Sequence, residues 1–191
     1  MSNLISLTPI ILLLMLAFTN TSTTLTQAFS RSISKEEMGI KHHQNYTHLH
    51  FYFHDYVAGP RRTALRIAQA QTTDKDPSGF GALVMIDDPL TEGPSNTSKV
   101  IGYAQGMYGF ADQQSSGLLM VMNLVFVEGK FSGSNLSVMG RNLVMSKVRE
   151  MSVVGGSGVF RFASGYALAK TITLLDPSGA SVVEYDVYVS H

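Results

Sequence analysis

The chain has 191 residues, 45% of them apolar, with 14 basic and 14 acidic side chains and no cysteine. This balance of charge gives no electrostatic basis for binding nucleic acid or an anionic membrane surface. The lack of cysteine excludes thiol nucleophiles, disulfides and Cys-ligated metal centres, so a domain of this size must be stabilised by packing and strand pairing.

The N-terminus has the pattern of a secretory leader. Residues 4–18, LISLTPIILLLMLAF, are apolar and uncharged but shorter than the roughly 20 residues that a membrane-spanning helix needs. The small residues Thr26 and Ala28 precede a candidate cleavage point, so we interpret residues 1–28 as a cleaved signal peptide. An uncleaved anchor or an internal segment is the alternative. Residues 29–47 show no period and are predicted to be a flexible arm.

From residue 48 to residue 191 the pattern is that of short strands separated by Gly-, Pro- and Asp-rich turns. No stretch has a sustained helical period. Many short strands with regular turns indicate one all-β domain, an antiparallel barrel or a sandwich. The predicted strands are residues 48–57, 63–71, 80–87, 99–110, 117–128, 133–140, 147–154, 158–174 and 181–190.

The first predicted strand contains HLHFYFHDY, residues 48–56, in which Asp55 shares a face with Leu49, Phe51 and Phe53. A buried, unpaired carboxylate costs free energy and tends to raise its pKa or find a partner. Asp55 is therefore either an acid at the mouth of an apolar cavity or a strand-end residue that caps a turn. The histidines on the other face have no carboxylate beside them in the strand, so we expect no metal site.

Two later strands carry small residues down one face, in residues 102–110 and 161–171. A barrel of about eight strands is just wide enough to be filled by side chains or to hold one small ligand. The small residues either leave space for a ligand or accept large aromatic side chains from opposite strands.

Several other residues are candidates on weaker evidence. Asp87 and Asp88 precede a proline, which favours a solvated turn for at least one of them. Arg149 could hold a carboxylate or a phenolate, or form a surface salt bridge with Glu150 or Glu128. Three Asn-X-Ser/Thr sequons are candidate glycosylation sites if the chain is secreted and they lie on the surface: Asn45, Asn96 and Asn135.

Five sequence blocks together resemble the plant dirigent proteins, especially the branch that includes the legume pterocarpan synthases. The resemblance covers residues 47–190, and its most specific block is REMSVVGGSGVFRFASGYA, residues 149–167. The other blocks are FYFHD at 51–55, DDPLTEGP at 87–94, GYAQGMY at 102–108 and LSVMGRN at 136–142.

The resemblance implies an eight-stranded antiparallel β-barrel with a central cavity, in a glycoprotein secreted to the apoplast or cell wall as a homodimer or homotrimer. It implies no cofactor and no oxidase centre, since a separate laccase or peroxidase supplies phenoxy radicals. It also implies a small phenolic substrate, and no membrane association once the leader is removed.

Site roles follow from the matching motifs. The resemblance implies that Asp55, Tyr108 and Arg149 line the cavity and act on a quinone methide, an electrophile that an acid activates by protonating its oxygen. Phe53, Asp88 and Asn142 are expected to bind substrate. Pinoresinol-forming members carry an aspartate where this chain has Asn142, and an amide cannot deliver a proton.

The expected function is therefore stereochemical control of phenoxy-radical coupling or quinone-methide cyclisation of phenylpropanoids. Two alternatives stay open. The first is a pterocarpan-synthase-like dehydratase that closes an isoflavan-4-ol through a quinone methide. The second is a non-catalytic cell-wall module that binds phenolic or sugar ligands. Whether the protein is an enzyme in its own right is left open by the sequence.

Overall fold

The structure is a computed structural model that describes residues 30–40 and 45–191. The predicted signal peptide, residues 1–28, lies outside the described residues. So do residues 29 and 41–44 of the predicted arm. Residues 30–39 belong to a unit separate from the rest of the chain, in which the Glu37 amide donates a hydrogen bond to Ser34 Oγ (3.0 Å). No helix in the described ranges has the length and hydropathy that crossing a bilayer requires.

Residues 45–191 contain nine strands and three short 3₁₀ turns, joined by loops. The strands are β1 (Tyr46–Tyr56), β2 (Ala64–Ala68), β3 (Leu83–Thr91), β4 (Val100–Phe110), β5 (Gly117–Phe126), β6 (Asn135–Leu143), β7 (Arg149–Ser157), β8 (Ser164–Thr173) and β9 (Ala180–Ser190). The 3₁₀ turns are Thr73–Lys75, Gly129–Phe131 and Gly158–Phe160. The first strand begins two residues before the predicted domain start at residue 48.

Eight of these strands close an antiparallel barrel, as predicted. The order is β1-β9-β8-β7-β6-β5-β4-β3, and β3 returns to β1 through the pairs Tyr52–Thr91 and Phe53–Leu90. The remaining strand, β2, pairs with β3 beyond that point, where Ala64 lies opposite Ile86. Thus β1 and β2 are two parts of one interrupted strand along β3, with residues 57–63 looping out between them.

Side-chain alternation builds the interior. In β5, whose sequence is GLLMVMNLVF, Leu118, Met120, Met122, Leu124 and Phe126 are buried. The intervening residues face outward, as the two-residue period of a strand requires. The same alternation in the other strands gives a single core inside the barrel.

Aromatic side chains fill one end of that core. The ring of Phe51 stacks on Tyr185 (centroids 5.7 Å apart) and meets Phe126 edge-on (6.5 Å), and Phe160 lies 5.7 Å from Phe126 and 4.9 Å from Phe131. Aromatic pairs at these separations stabilise a core beyond their buried area.

The small residues of β4 and β8 belong to packed core and to sheet pairing. Ala104, Ala167 and Ala169 are fully buried, and none of them lines the cavity described below. A Cβ on Gly102 or Gly106 would overlap a backbone carbonyl of the neighbouring strand β5. These residues therefore permit close packing, and the barrel is hollow elsewhere.

Candidate active site

A cavity of about 530 Å³ opens at the opposite end of the barrel from the aromatic cluster. Its wall comes from residues near the ends of β1, β4, β6 and β8, from residues near the starts of β3, β5, β7 and β9, and from β2. Much of the wall is apolar, including Phe53, Val84, Leu118, Met120 and Val183. Small-molecule sites typically have this size and an apolar lining with a few placed polar groups.

Asp55 lies on this wall because β1 continues through residue 56, where it pairs with β9. Its Oδ2 accepts a hydrogen bond from the Tyr108 hydroxyl (3.3 Å), whereas its buried Oδ1 has no hydrogen-bond partner among the protein atoms. Burial raises the pKa of Asp55 to about 6, and the Tyr108 hydrogen bond partly opposes that rise. Asp55 is thus a carboxyl group able to give or take a proton near neutral pH.

Asp88 lies beside Asp55 on β3 and is completely buried. The antiparallel register explains this position. Phe53 of β1 lies opposite Leu90 of β3, and because the strands run in opposite directions, two residues later in β1 and two residues earlier in β3 Asp55 lies opposite Asp88. Burial, and then the charge of Asp55, raise the pKa of Asp88 to about 8, although a hydrogen bond from Thr63 opposes the rise. Asp88 is not among the residues that line the cavity.

Two tyrosines accompany the acids. Burial raises the pKa of Tyr108 well above its ordinary value, and the charges of Asp55 and Asp88 add to this effect. Burial also raises the pKa of Tyr185, which is fully enclosed yet contributes to the cavity wall. Both phenols therefore stay protonated, and the Tyr108 hydroxyl donates its hydrogen to Asp55.

Arg149 and Asn142 form a second polar group on the wall. Arg149 Nε donates a hydrogen bond to Asn142 Oδ1 (2.9 Å), and Arg149 is only 4% exposed. Burial lowers the pKa of Arg149, but a guanidinium titrates so high that it remains charged. Its Nη1 is buried with no protein partner, so a positively charged donor remains for an oxygen atom inside the barrel.

The two polar groups lie on opposite walls. Asn142 is on β6, which is four strands from β1 in either direction around the eight-stranded barrel. We call Asp55, Asp88 and Tyr108 the acidic pole, and Asn142 with Arg149 the cationic pole. A guest between the poles would meet a proton donor on one side and a cationic donor on the other.

The sequence model of the family described as dirigent-like protein matches residues 46–190, nearly the whole described domain. This chain belongs to the dirigent family. It is 50% identical over 188 residues to Dirigent protein 21 of Arabidopsis thaliana, covering 98% of this chain and 97% of that protein. It is 46% identical over 168 residues to Pterocarpan synthase 1 of Glycine max, covering 87% and 90% of the two chains.

A solved relative has the same architecture as this dirigent chain. The structure of the pterocarpan synthase dirigent protein GePTS1 superposes with a TM-score of 0.73 at 48% sequence identity, covering 78% of this chain and 86% of that one. The expected family and the eight-stranded barrel are therefore both confirmed.

In this dirigent barrel, most of the expected site residues lie together. Phe53, Asp55, Tyr108, Asn142 and Arg149 all line the cavity. Their roles in substrate binding and catalysis stay predictions. The sixth expected residue, Asp88, belongs to the acidic pole but does not line the cavity. Neither Asp87 nor Asp88 lies in a turn, since both are in β3.

Sequence reasoning missed several polar groups of the site. Thr63, in the loop between β1 and β2, donates its hydroxyl hydrogen to Asp88. Arg66 and Thr171 also lie on the cavity wall. For Tyr185 a signal existed, because it alternates with Val183 and Val187 in β9. For Thr63 there was none, since a loop residue has no period.

Two histidines of β1, His48 and His50, are on the outer face of the barrel, and the third, His54, is buried beside β3. His48 Nε2 is 2.7 Å from Asp186 Oδ1, and His50 Nε2 is 3.1 Å from Glu184 Oε1, so the carboxylates that the strand itself lacks come from β9. His54 is buried, 2.7 Å from Thr91 Oγ1. Within residues 30–40 and 45–191 no group of three His, Cys, Asp or Glu side chains could hold a metal ion.

Proposed function

We propose that this dirigent protein imparts stereoselectivity on the cyclisation of a quinone methide formed by phenoxy-radical coupling of a phenylpropanoid. The observation that carries the proposal is Asp55, a carboxyl group with a raised pKa at the wall of an apolar cavity of about 530 Å³. A quinone methide is planar and largely apolar, and protonation of its oxygen makes it more electrophilic. An enclosed acid facing such a guest is suited to that step.

In the proposed reaction Asp55 donates a proton to the quinone-methide oxygen, and a hydroxyl of the substrate closes the ring and releases a proton. The cyclisation consumes no net proton, so the carboxyl group is restored at the end. Tyr108 orients Asp55 through its hydrogen bond, and Arg149 holds a phenol or phenolate oxygen at the opposite wall. Fixing both ends of the guest exposes one face to ring closure, which makes the product chiral.

The radicals require an oxidant, and we propose that a separate laccase or peroxidase supplies it. The side chains on the cavity wall provide proton donors, a guanidinium and apolar surface. These groups bind and orient a guest and move protons. The proposal therefore assigns the electron transfer to the external oxidase and the stereochemistry to the barrel.

A second candidate is dehydration of an isoflavan-4-ol, and the distribution of acids favours it. Both buried carboxyl groups are at one pole, and the opposite wall has an amide at Asn142. A dehydratase needs an acid at one end only, where Asp55 would protonate the leaving hydroxyl group. Relatives at 46% and 45% identity are named pterocarpan synthases.

One pair of incubations separates these functions. The purified protein is incubated with coniferyl alcohol plus a laccase, and separately with isoflavan-4-ols without oxidant, followed by chiral chromatography. An enantiomeric excess only in the first reaction supports radical coupling, and ring-closed product in the second supports the dehydratase. Retention of these ligands without a change in product would instead indicate a binding module.

Substitution of the acid gives the sharper test. Asp55→Asn is nearly isosteric, so we expect a folded protein whose chiral product formation is at least about tenfold lower, the low side for a lost general acid. Asp87→Asn is the matched control, since Asp87 faces outward and pairs with Gln105. Equal chiral output from the Asp55 variant and the wild type would refute the assignment.

The proposal includes secretion to the apoplast and N-glycosylation, in keeping with the N-terminal leader pattern. Asn45 and Asn96 are exposed, and Asn96 lies in the turn between β3 and β4. Asn135 is half-buried at the start of β6, and its amide nitrogen donates to Ser157 Oγ (2.8 Å). Asn45 and Asn96 are therefore the more accessible glycan acceptors.

The proposal also includes assembly as a homodimer or homotrimer. An exposed apolar row runs across the outside of five neighbouring strands, with each member opposite the next in register. Its members are Leu65, Met85, Met107, Val121 and Met139. Contiguous apolar surface of this kind is typical of protein–protein contacts, which supports an interface between copies here.

A further inference from the structure

The acidic pole contains two buried oxygen atoms that no protein atom satisfies. They are Asp55 Oδ1 and Asp88 Oδ2, one from each of the two interacting carboxyl groups. Buried carboxyl oxygens normally have hydrogen-bond partners, so an unsatisfied pair in one place requires an explanation. Two neighbouring carboxylates also repel each other, and retaining a proton removes that repulsion.

The hydrogen bonds of Thr63 show where such a proton lies on Asp88. The Tyr56 amide donates to Thr63 Oγ1 (3.3 Å), so the hydroxyl hydrogen of Thr63 is free to point at Asp88 Oδ1. Asp88 Oδ1 is then an acceptor, and a proton on this carboxyl belongs on Oδ2. On Asp55, the Tyr108 hydroxyl likewise donates to Oδ2 and leaves Oδ1 unoccupied.

We propose that Asp88 is a positioning residue that holds a reserve proton beside Asp55 and returns it to Asp55 when the substrate-facing carboxyl group is ionised. In this transfer the O–H bond on Asp88 Oδ2 breaks and an O–H bond on Asp55 Oδ1 forms, directly or through one water molecule. The negative charge moves from Asp55 to Asp88, and no oxidant or other reactant takes part. The inference rests on the proposed acid role of Asp55.

The charged and titratable surroundings are consistent with a pair that holds one proton. Apart from the two aspartates themselves and the neighbouring phenols Tyr108 on β4 and Tyr185 on β9, the charged groups that act on this set are Asp87 on β3, Arg66 on β2 and Arg149 on β7. Arg149 acts on Tyr185 and Arg66 on Tyr108, and neither cation is among the causes that shift Asp55 or Asp88. Among the residues that the structure describes, no cation therefore lowers the proton affinity of the pair to the ordinary carboxylate range.

The number of protons that Asp55 and Asp88 hold together determines the pH range in which the site can act as an acid. With pKa values of about 6 for Asp55 and about 8 for Asp88, the pair carries one proton between these limits, most of the time on Asp88. Without Asp88, the site would lose its acid once the pH exceeds the pKa of Asp55. With Asp88, acid catalysis extends about two pH units higher.

The test compares the wild type with Asp88→Asn in two measurements. In the pH profile of chiral product formation, normalised to each protein's own maximum, we expect the alkaline limb near pH 8 to move to about pH 6 or below. In carbon-13 NMR of protein labelled at the aspartate carboxyl carbons, the transition near pH 8 disappears and the one near pH 6 remains. An alkaline limb that stays in place would overturn the inference.

Thr63→Val provides the matched control for a merely structural effect. It removes the hydrogen bond that lowers the pKa of Asp88, so the alkaline limb and the upper NMR transition should both move to higher pH, opposite to Asp88→Asn. The NMR titration needs no substrate. Coupled transitions in a protein without activity would count against the proposed function alone, whereas no aspartate titrating above pH 7 would count against the reserve proton.

Discussion

At the scale of single residues, the acidic pole makes folding sensitive to pH. A carboxyl group whose pKa is higher in the folded protein than in the unfolded chain binds its proton more tightly when folded. Such a group stabilises the fold relative to its ionised form at low pH, and that contribution is lost as the pH rises towards the folded pKa. For Asp88 the window runs from about pH 4, the ordinary value, to about pH 8.

We therefore predict a pH-dependent difference in stability between the wild type and Asp88→Asn. As the pH rises from about 4 to about 8, the free energy of unfolding of the wild type should fall relative to the variant by up to about 1.4 kcal/mol per pH unit. Above pH 8 the difference should level off. Urea unfolding at a series of pH values measures it, and a difference that is independent of pH would contradict the burial argument.

Part of the site could be predicted from the local pattern of residues along the chain, and part could not. Strand alternation places Asp55 among apolar neighbours, and its position on the cavity wall agrees with that pattern. Asp88 precedes a proline, so local chemistry favoured a turn, whereas its actual neighbour is 33 residues away on β1. The partner of Arg149 is Asn142 rather than Glu150 or Glu128, because strand pairing, which is non-local, decides which side chains meet.

At the scale of elements, two glycines of β4 make the close pairing with β5 possible. A methyl group at Gly106 would overlap the backbone carbonyl of Val121 and crowd Met122. Backbone atoms cannot rotate away as a flexible side chain can, so the strands would have to separate.

Gly106→Ala should therefore lower the free energy of unfolding by about 1–3 kcal/mol, the usual cost of overpacking. Gly155→Ala is the matched control, since Gly155 also lies in a strand but a Cβ there meets no atom within 4 Å. We expect the control to change stability by no more than about 0.5 kcal/mol. Thermal and urea unfolding compare the two variants, and equal effects would refute the steric explanation.

The strands themselves were largely predictable, but their interruptions were not. Residues 158–163 were predicted to begin a strand, yet residues 158–160 form a 3₁₀ turn and β8 starts at Ser164. Gly158 has a φ of 63°, a conformation that ends regular pairing. The break between β1 and β2 likewise depends on pairing with β3, which a single strand's pattern does not contain.

At the scale of the whole molecule, the outer surface is not uniform. The apolar row of Leu65, Met85, Met107, Val121 and Met139 lies next to a polar row of hydrogen-bonded side chains, such as Gln105 with Asp87 and Ser137 with Asn123. An apolar row beside polar groups suits a contact with another copy, whose rim can hydrogen-bond.

Met107→Lys should therefore shift the protein towards the monomer in sedimentation velocity, because a buried, unpaired ammonium group would destabilise the contact. Ile172→Lys is the control. Ile172 is also exposed, but it lies on β8, four strands from β4 in either direction. The same sedimentation coefficient for wild type and Met107→Lys would exclude this row as the interface.

The family and the barrel were predictable from the five sequence blocks, because these blocks are spread over the whole domain and relatives that share them share one fold. The division of the interior was not. The small residues of β4 and β8 were compatible with space for a ligand or with close packing, and they pack in the core. The cavity is lined instead by residues of all nine strands and their connecting loops. Where side chains of different lengths fill a closed barrel depends on all strands together.

Phe51, Phe126 and Phe160 close one end of the barrel, and Tyr185, which stacks on Phe51, forms part of the cavity wall, so the cavity is closed at its inner end. A molecule therefore enters and leaves the cavity through the same opening, and the part of it that enters first must leave last. A new substrate waits until the finished product has gone, and a tightly held product would act as a competitive inhibitor of the next turnover.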